Sequence, residues 1–267
     1  GYNSLTANTT GAGNNAVGKA ALEANTTGSY NTALGYAALD NNTTADNNVA
    51  IGRHALDGNT TGSSNVSIGA YALDANTTTS NSVAIGHGAL SASTAAELTA
   101  VGKGAMAAHT TGADMAAFGF QALTANTTGA YNTALGYDAM VANTTGAFNT
   151  AVGRGALDAN TTADYNTSVG YNAAGANTTG ANNTAVGANA LDANTTGSDS
   201  VAVGYNALTA ATTATKNTAI GYSAGEAITT GEKNITIGYN SGKLIDEGIK
   251  NVAVGSYSLD ATTTGDE

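Results

Sequence analysis

The chain contains no cysteine, no proline and no tryptophan. Without cysteine there can be no disulfide scaffold, zinc finger or iron–sulfur cluster and no thiol nucleophile, while the redox compartment stays open. Ordinary core residues are scarce as well. Leu, Ile, Val and Phe make up 40 of the 267 residues, below the share at which a conventional globular core forms, which argues against a compact mixed α/β enzyme. Only eight Lys and Arg stand against nineteen Asp and Glu, for a net charge of −11. The basic residues are scattered, with Lys216, Lys233, Lys243 and Lys250 falling in the last fifth, so no cluster is offered to nucleic acid. No apolar run approaches the roughly 20 residues of a membrane-spanning helix. Membrane insertion by this segment is therefore not expected. No signal-peptide pattern opens the chain, so a targeting segment, if one exists, is expected outside it.

What is present is a repeat. Glycine preceded by a bulky apolar residue recurs at Gly18, Gly35, Gly52, Gly69 and Gly86, and again from Gly102 to Gly255, every 17 residues except for one step of 16 between Gly86 and Gly102. Gly1 shares the register, giving sixteen copies of a unit close to N-T-A-V-G-Y-x-A-L-D-A-N-T-T-G-x-x. Residues 1–267 read as one repeat array with no second domain. In the copy that starts at Asn48, position one is Asn48, position four Ile51, position five Gly52, position nine Leu56, position twelve Asn59 and position fifteen Gly62.

The unit is too short for a helical hairpin repeat, and its apolar residues lack helical spacing. Its first five residues alternate with period two, as a short strand does, and Asn and Gly supply several corners. One unit is then one coil. Stacking the coils about 4.8 Å apart gives an all-β, parallel β-solenoid, and sixteen of them a rod of roughly 75 Å. Position four is apolar in every copy, so Val17, Leu34, Ile51, Ile68 and Ile85 are expected to stack inside. Position eight is always Ala or Ser and position nine Leu or Met in thirteen copies, whereas position six varies freely and should be wet. Asn at positions one and twelve should form ladders that satisfy buried amides. The 16-residue step should deform an outward corner near Ser93–Leu98, because a residue lost from a strand would reverse the facing of everything after it.

Asn81-Ser82-Val83-Ala84-Ile85-Gly86 resembles the head-repeat motif of trimeric autotransporter adhesins. Asn48-Val49-Ala50-Ile51-Gly52, Ser200-Val201-Ala202-Val203-Gly204 and Asn251-Val252-Ala253-Val254-Gly255 keep the pattern, and the longer form is similar to repeats of phage tail-fibre proteins. The resemblance implies a left-handed β-roll assembled as a homotrimer, forming the projecting part of a cell-surface adhesin or virion fibre. It supplies no binding residue, since the motif residues of that family are structural.

Chemistry is sparse. His54, His87 and His109 occupy different coil positions and do not cluster, no dinucleotide loop is formed, and neither a catalytic group nor a cofactor is expected. Asp40, Asp57 and Asp74 share position ten in consecutive coils, where they either chelate Ca²⁺ or repel one another on a wet edge. Tyrosines at position six, such as Tyr36, Tyr205, Tyr222 and Tyr239, either make a stripe for a host protein or glycan or cover an apolar edge. Asn8, Asn25, Asn42, Asn59 and Asn76 each begin an Asn-Thr-Thr glycosylation sequence, which turns also explain. The paired threonines admit an ice-binding array, although neighbours on a strand face opposite ways. The sequence thus points to an extracellular structural fibre or adhesin segment, not an enzyme. Because uncovered strands at the ends invite pairing, the chain is expected to belong to a longer fibre or to join end to end.

Overall fold

The computed structural model describes residues 1–260 and is all-β, with no helix among them. It comprises two compact units, Gly1–Tyr131 and Asn132–Glu267. Unit one carries β1 (Asn15–Val17), β2 (Thr32–Leu34), β3 (Val49–Ile51), β4 (Val66–Ile68), β5 (Val83–Ile85), β6 (Thr99–Val101) and β7 (Ala116–Phe118). Unit two carries β8 (Thr133–Leu135), β9 (Thr150–Val152), β10 (Thr167–Val169), β11 (Thr184–Val186), β12 (Val201–Val203), β13 (Thr218–Ile220), β14 (Ile235–Ile237) and β15 (Val252–Val254). Within each unit every strand pairs in parallel with the next copy's strand, in the register of the repeat. Thr32 lies beside Val49, for example, and Thr184 beside Val201. Each unit is a parallel β-solenoid.

Three-residue strands understate the pairing. Coil-to-coil backbone bonds continue through the turns, as from Leu39 N–H to the Ala55 carbonyl at 3.0 Å and from Thr26 N–H to that of Thr43 at 2.9 Å. Most of the circumference is thereby satisfied by the neighbouring copy, as buried backbone requires. Gly at position five ends each strand. Gly35 has φ 140°, and a Cβ there would lie 2.5 Å from the Gly52 carbonyl oxygen. Only glycine meets both the backbone angle and the close approach of the next coil. Leucine at position nine also lies at positive φ, 53° in Leu39 and 54° in Leu56, a conformation that costs an L-residue about 1–2 kcal/mol. Full burial of these side chains offsets that cost.

The expected interior stack of Val17, Leu34, Ile51, Ile68 and Ile85 is not there. Val17 is 61% and Leu34 47% exposed, and the three isoleucines are half-buried on the same outward side. The period-two alternation holds with its facing inverted. Position three points inward, with Ala33, Ala50, Ala84 and Ala100 buried against Ala at position eight and Leu or Met at position nine. Ser67 Oγ reaches across to donate to the Ala72 carbonyl at 2.7 Å, which shows how narrow the interior is. Only a side chain near the size of alanine fits opposite leucine, and the bulkier position four is turned out.

One exception demonstrates that limit. Where position nine shrinks to Gly225 and Gly242, position three between them grows to Thr236 and position twelve becomes Ile228 and Ile245. A Cβ on Gly242 would lie 2.4 Å from Thr236 Cγ2 and 2.9 Å from Ile245 Cδ1. Volume lost at one interior position is returned at two others.

The 16-residue step falls at the expected corner. Strands β5 and β6 keep their alignment, Val83 beside Thr99 and Ile85 beside Val101. Glu97 retains both the positive φ of position seventeen, 61°, and its bond to the Ser80 carbonyl. The missing residue therefore lies between Thr94 and Glu97, where Thr79 Oγ1 now donates to the Ala95 carbonyl at 3.3 Å.

Candidate functional surfaces

Inside the coil the expected asparagine ladders form. Asn31 Oδ1 accepts the backbone N–H of Asn48, and Asn48 Oδ1 that of Asn65, each at 2.9 Å. At position twelve, Asn42 Nδ2 donates to Asn25 Oδ1 at 2.9 Å and Asn59 Nδ2 to Asn42 Oδ1 at 3.0 Å. Each Nδ2 of this second ladder also donates to the position-fifteen carbonyl, as from Asn42 to Ala45 and from Asn59 to Gly62. With both amide protons engaged and Asn25, Asn42 and Asn59 fully enclosed, these Asn-Thr-Thr sites are closed to N-glycosylation in the folded chain. His109 substitutes for asparagine in the same column. Its Nε2 lies 2.8 Å from the Gly112 carbonyl, and its Nδ1 lies 3.1 Å from Asn126 Nδ2. The first contact calls for a donor and the second for an acceptor, which assigns a neutral ring protonated on Nε2. Burial pushes its pKa below the ordinary value, opposed in part by the Gly112 carbonyl.

Three surfaces face outward. The first is the sheet face of positions two and four, where Val17, Leu34 and Phe118 of unit one and Leu135, Ile220 and Val254 of unit two are exposed. An unbroken apolar column at position four, flanked at position two by a column of mostly Thr and Val, is unusual for a surface facing only water. Sequence alternation could not tell which side was inward. The missed signal was tolerance of size: position four accepts anything from Val to Phe, whereas position three is confined to Ala, Ser and Thr.

The second surface is the edge at positions six and seven. In unit one, Lys19 lies over the rings of Tyr2 and Tyr36, and Tyr36, His54, Tyr71 and His87 follow with centroids 5.2, 5.5 and 6.0 Å apart. In unit two, Arg154 lies over Tyr137 and Tyr171, and Tyr205, Tyr222 and Tyr239 stack at 5.2 Å. Tyr205, Tyr222 and Tyr239 turn their faces to one another, as do His54 and Tyr71, whereas Tyr36 meets His54 and Tyr71 meets His87 edge to face.

The third surface is the threonine corner. Position-thirteen hydroxyls are tied to the next coil, Thr26 Oγ1 donating to the Thr43 carbonyl and Thr60 Oγ1 to that of Thr77. Position-fourteen threonines, including Thr27, Thr44 and Thr61, are exposed in a single column.

Asp40, Asp57 and Asp74 do stack at position ten. Asp57 Oδ2 engages His54 Nδ1 at 2.8 Å, while burial, followed for Asp40 by the charges of Asp57 and Glu23, raises the pKa of Asp40 and Asp74. No group of three or more His, Cys, Asp or Glu that could hold a metal ion occurs among the described residues. His54, His87 and His109 remain apart from one another as a set: His54 and His87 lie on the aromatic edge and His109 inside. No cavity is found among the described residues, nor a helix long and apolar enough to cross a membrane.

No protein-family model, curated protein or solved structure matches this chain.

Proposed function

We propose that the chain is a structural segment of an extracellular fibre or adhesin, displayed on a cell surface or virion, in which three copies pack side by side through the sheet face of positions two and four. The observation that supports this reading most is that face itself: Val17, Leu34 and Phe118 are exposed apolar side chains in the position-four column, which is apolar in every coil. A second copy of the chain carries the same column at the same spacing, so association buries all of it at once and the hydrophobic effect favours it. A left-handed coil and threefold assembly are what the resemblance of Asn81–Gly86 to the adhesin head repeat implies. In such a fibre the aromatic edge and threonine corner stay outside, available to a host protein or glycan. Repeated, nearly equivalent coils present extended surface without a convergent acid, base or nucleophile, the arrangement of attachment and not of catalysis.

Sedimentation equilibrium of the purified chain tests this. A mass three times the monomer is expected, falling to the monomer when Ile51, Ile68 and Ile85 are all replaced by Thr. A monomeric wild-type chain overturns the reading. The exposed threonine column supports a second reading, an ice-binding solenoid, for which a monomer showing thermal hysteresis would be the mark. An end-to-end filament would instead give an open-ended series of masses.

A further inference from the structure

Position six carries Lys, Arg, Ala, His, Phe or Ser in nine copies, yet three consecutive coils of unit two carry Tyr205, Tyr222 and Tyr239. Their rings are held in one column, with centroids 5.2 Å apart and planes inclined by 16° at both steps. Exposures of 47, 46 and 47% leave the outer edges open to solvent. Tyr257 continues the column at 5.4 Å with its plane turned by 66°. Tyr171, by contrast, has Arg154 over its ring and is separated from Tyr205 by the coil that carries Ala188 at position six.

We propose that the Tyr205–Tyr222–Tyr239 column is an oxidative cross-linking site at which neighbouring coils become joined by a dityrosine bond. The oxidant is hydrogen peroxide acting through a haem peroxidase. Each phenol gives up one electron and one proton, and the two phenoxyl radicals join through a carbon ortho to each hydroxyl. The ring hydrogens at the new bond then move to the oxygens, restoring both phenols. Peroxide takes up the two electrons and two protons and leaves as two waters, so the chain loses two hydrogen atoms per link. Coil stacking supplies the proximity, because the backbone ladder fixes Tyr222 one coil from each partner before any oxidation occurs. Half-exposed rings retain the freedom to turn out of the stack and meet edge to edge. The product staples adjacent coils of a fibre on its outer edge, away from the apolar sheet face.

Peroxidase and peroxide are applied to the dilute full-length chain, followed by dityrosine fluorescence and mass mapping of digested peptides. Intramolecular links joining Tyr222 to Tyr205 or Tyr239 are expected at a yield about tenfold above that of the same chain in urea, reflecting the loss of held proximity. Tyr171 should remain uncoupled. In the Tyr205→Phe, Tyr239→Phe double variant, which keeps the ring stack and so the fold, coupling at Tyr222 should disappear. Links spread evenly over the twelve tyrosines, coupling at Tyr171 equal to that at Tyr222, or persistence of the Tyr222 link in the double variant would each overturn the proposal.

Discussion

Asn48 and Asn59 converge on one acceptor: the Nδ2 of each donates to the Gly62 carbonyl oxygen at 2.9 Å. The same pair recurs one coil earlier, where Asn31 and Asn42 meet at the Ala45 carbonyl, and one coil later, where Asn65 and Asn76 meet at that of Thr79. Each of these three coils is thus closed across its own interior by two amides on one carbonyl, while the asparagine oxygens hold neighbouring coils.

Asn59→Ala removes the donor to Gly62, strands Asn42 Oδ1 and deprives Asn76 Nδ2 of an acceptor. Leaving such buried groups unpaired should cost about 2–4 kcal/mol, read from the denaturant midpoint. A surface substitution such as Thr61→Ala should change it by less than about 0.5 kcal/mol.

The chain carries a natural break in this ladder. Ala211 stands where the next asparagine would be, and Asn194 Oδ1 has no partner. Ala211→Asn restores a donor and should raise stability by about 1 kcal/mol. A fall in the midpoint would show that the interior beside Ile228 has no room for the amide.

Gly242→Ala should be destabilising by about 1–3 kcal/mol, since the new methyl is driven into Thr236 and Ile245. Adding Thr236→Ala should recover more than half of the loss. The recovery is a coupling energy, and additive effects in the double-mutant cycle would contradict the exchange of volume between these positions.

His109 gives a pH dependence of definite sign. Its folded pKa lies below the ordinary value of about 6.5, so the unfolded chain binds the proton more readily. Stability is then complete above about 6.5, falls as the pH drops through that value, and levels off below the folded pKa. The His109→Asn variant keeps the ladder and lacks the titrating ring, so its melting temperature should change less than the wild type's between neutral pH and pH 5. Asp40 and Asp74, whose raised pKa works in the opposite direction, are present in both chains, so the comparison isolates His109.

Much of this architecture was legible in the sequence because a repeat constrains itself. The constant spacing of Gly35, Gly52 and Gly69 fixed the coil length, the strand and the parallel register, and the constancy of Asn42 and Asn59 pointed to inward ladders. Facing was not legible. Ala50 and Ile51 alternate whichever side is inward, and a rule that places the more apolar residue inside fails when the interior is only wide enough for alanine opposite Leu56. The positive φ of Leu39 and Leu56 was equally hidden, because propensity assigns that region to Gly and Asn, and tertiary burial overrides it here. Among the outer surfaces, the aromatic column could be read from the recurrence of Tyr at position six, but its stacking geometry depends on how closely the coils approach.

The inward facing of position three underlies both the narrow core and the apolar outer face, and two adjacent residues test it most directly. Ala84→Asp and Ile85→Asp are compared by far-ultraviolet circular dichroism during thermal melting of the dilute chain. Ala84 is fully buried, so its carboxylate would be enclosed without a partner, at a cost of several kcal/mol. Ala84→Asp should therefore melt far below wild type or fail to fold, while Ile85→Asp should retain the β spectrum with a small loss. An Ala84→Asp chain as stable as wild type beside an Ile85→Asp chain that unfolds would contradict this account.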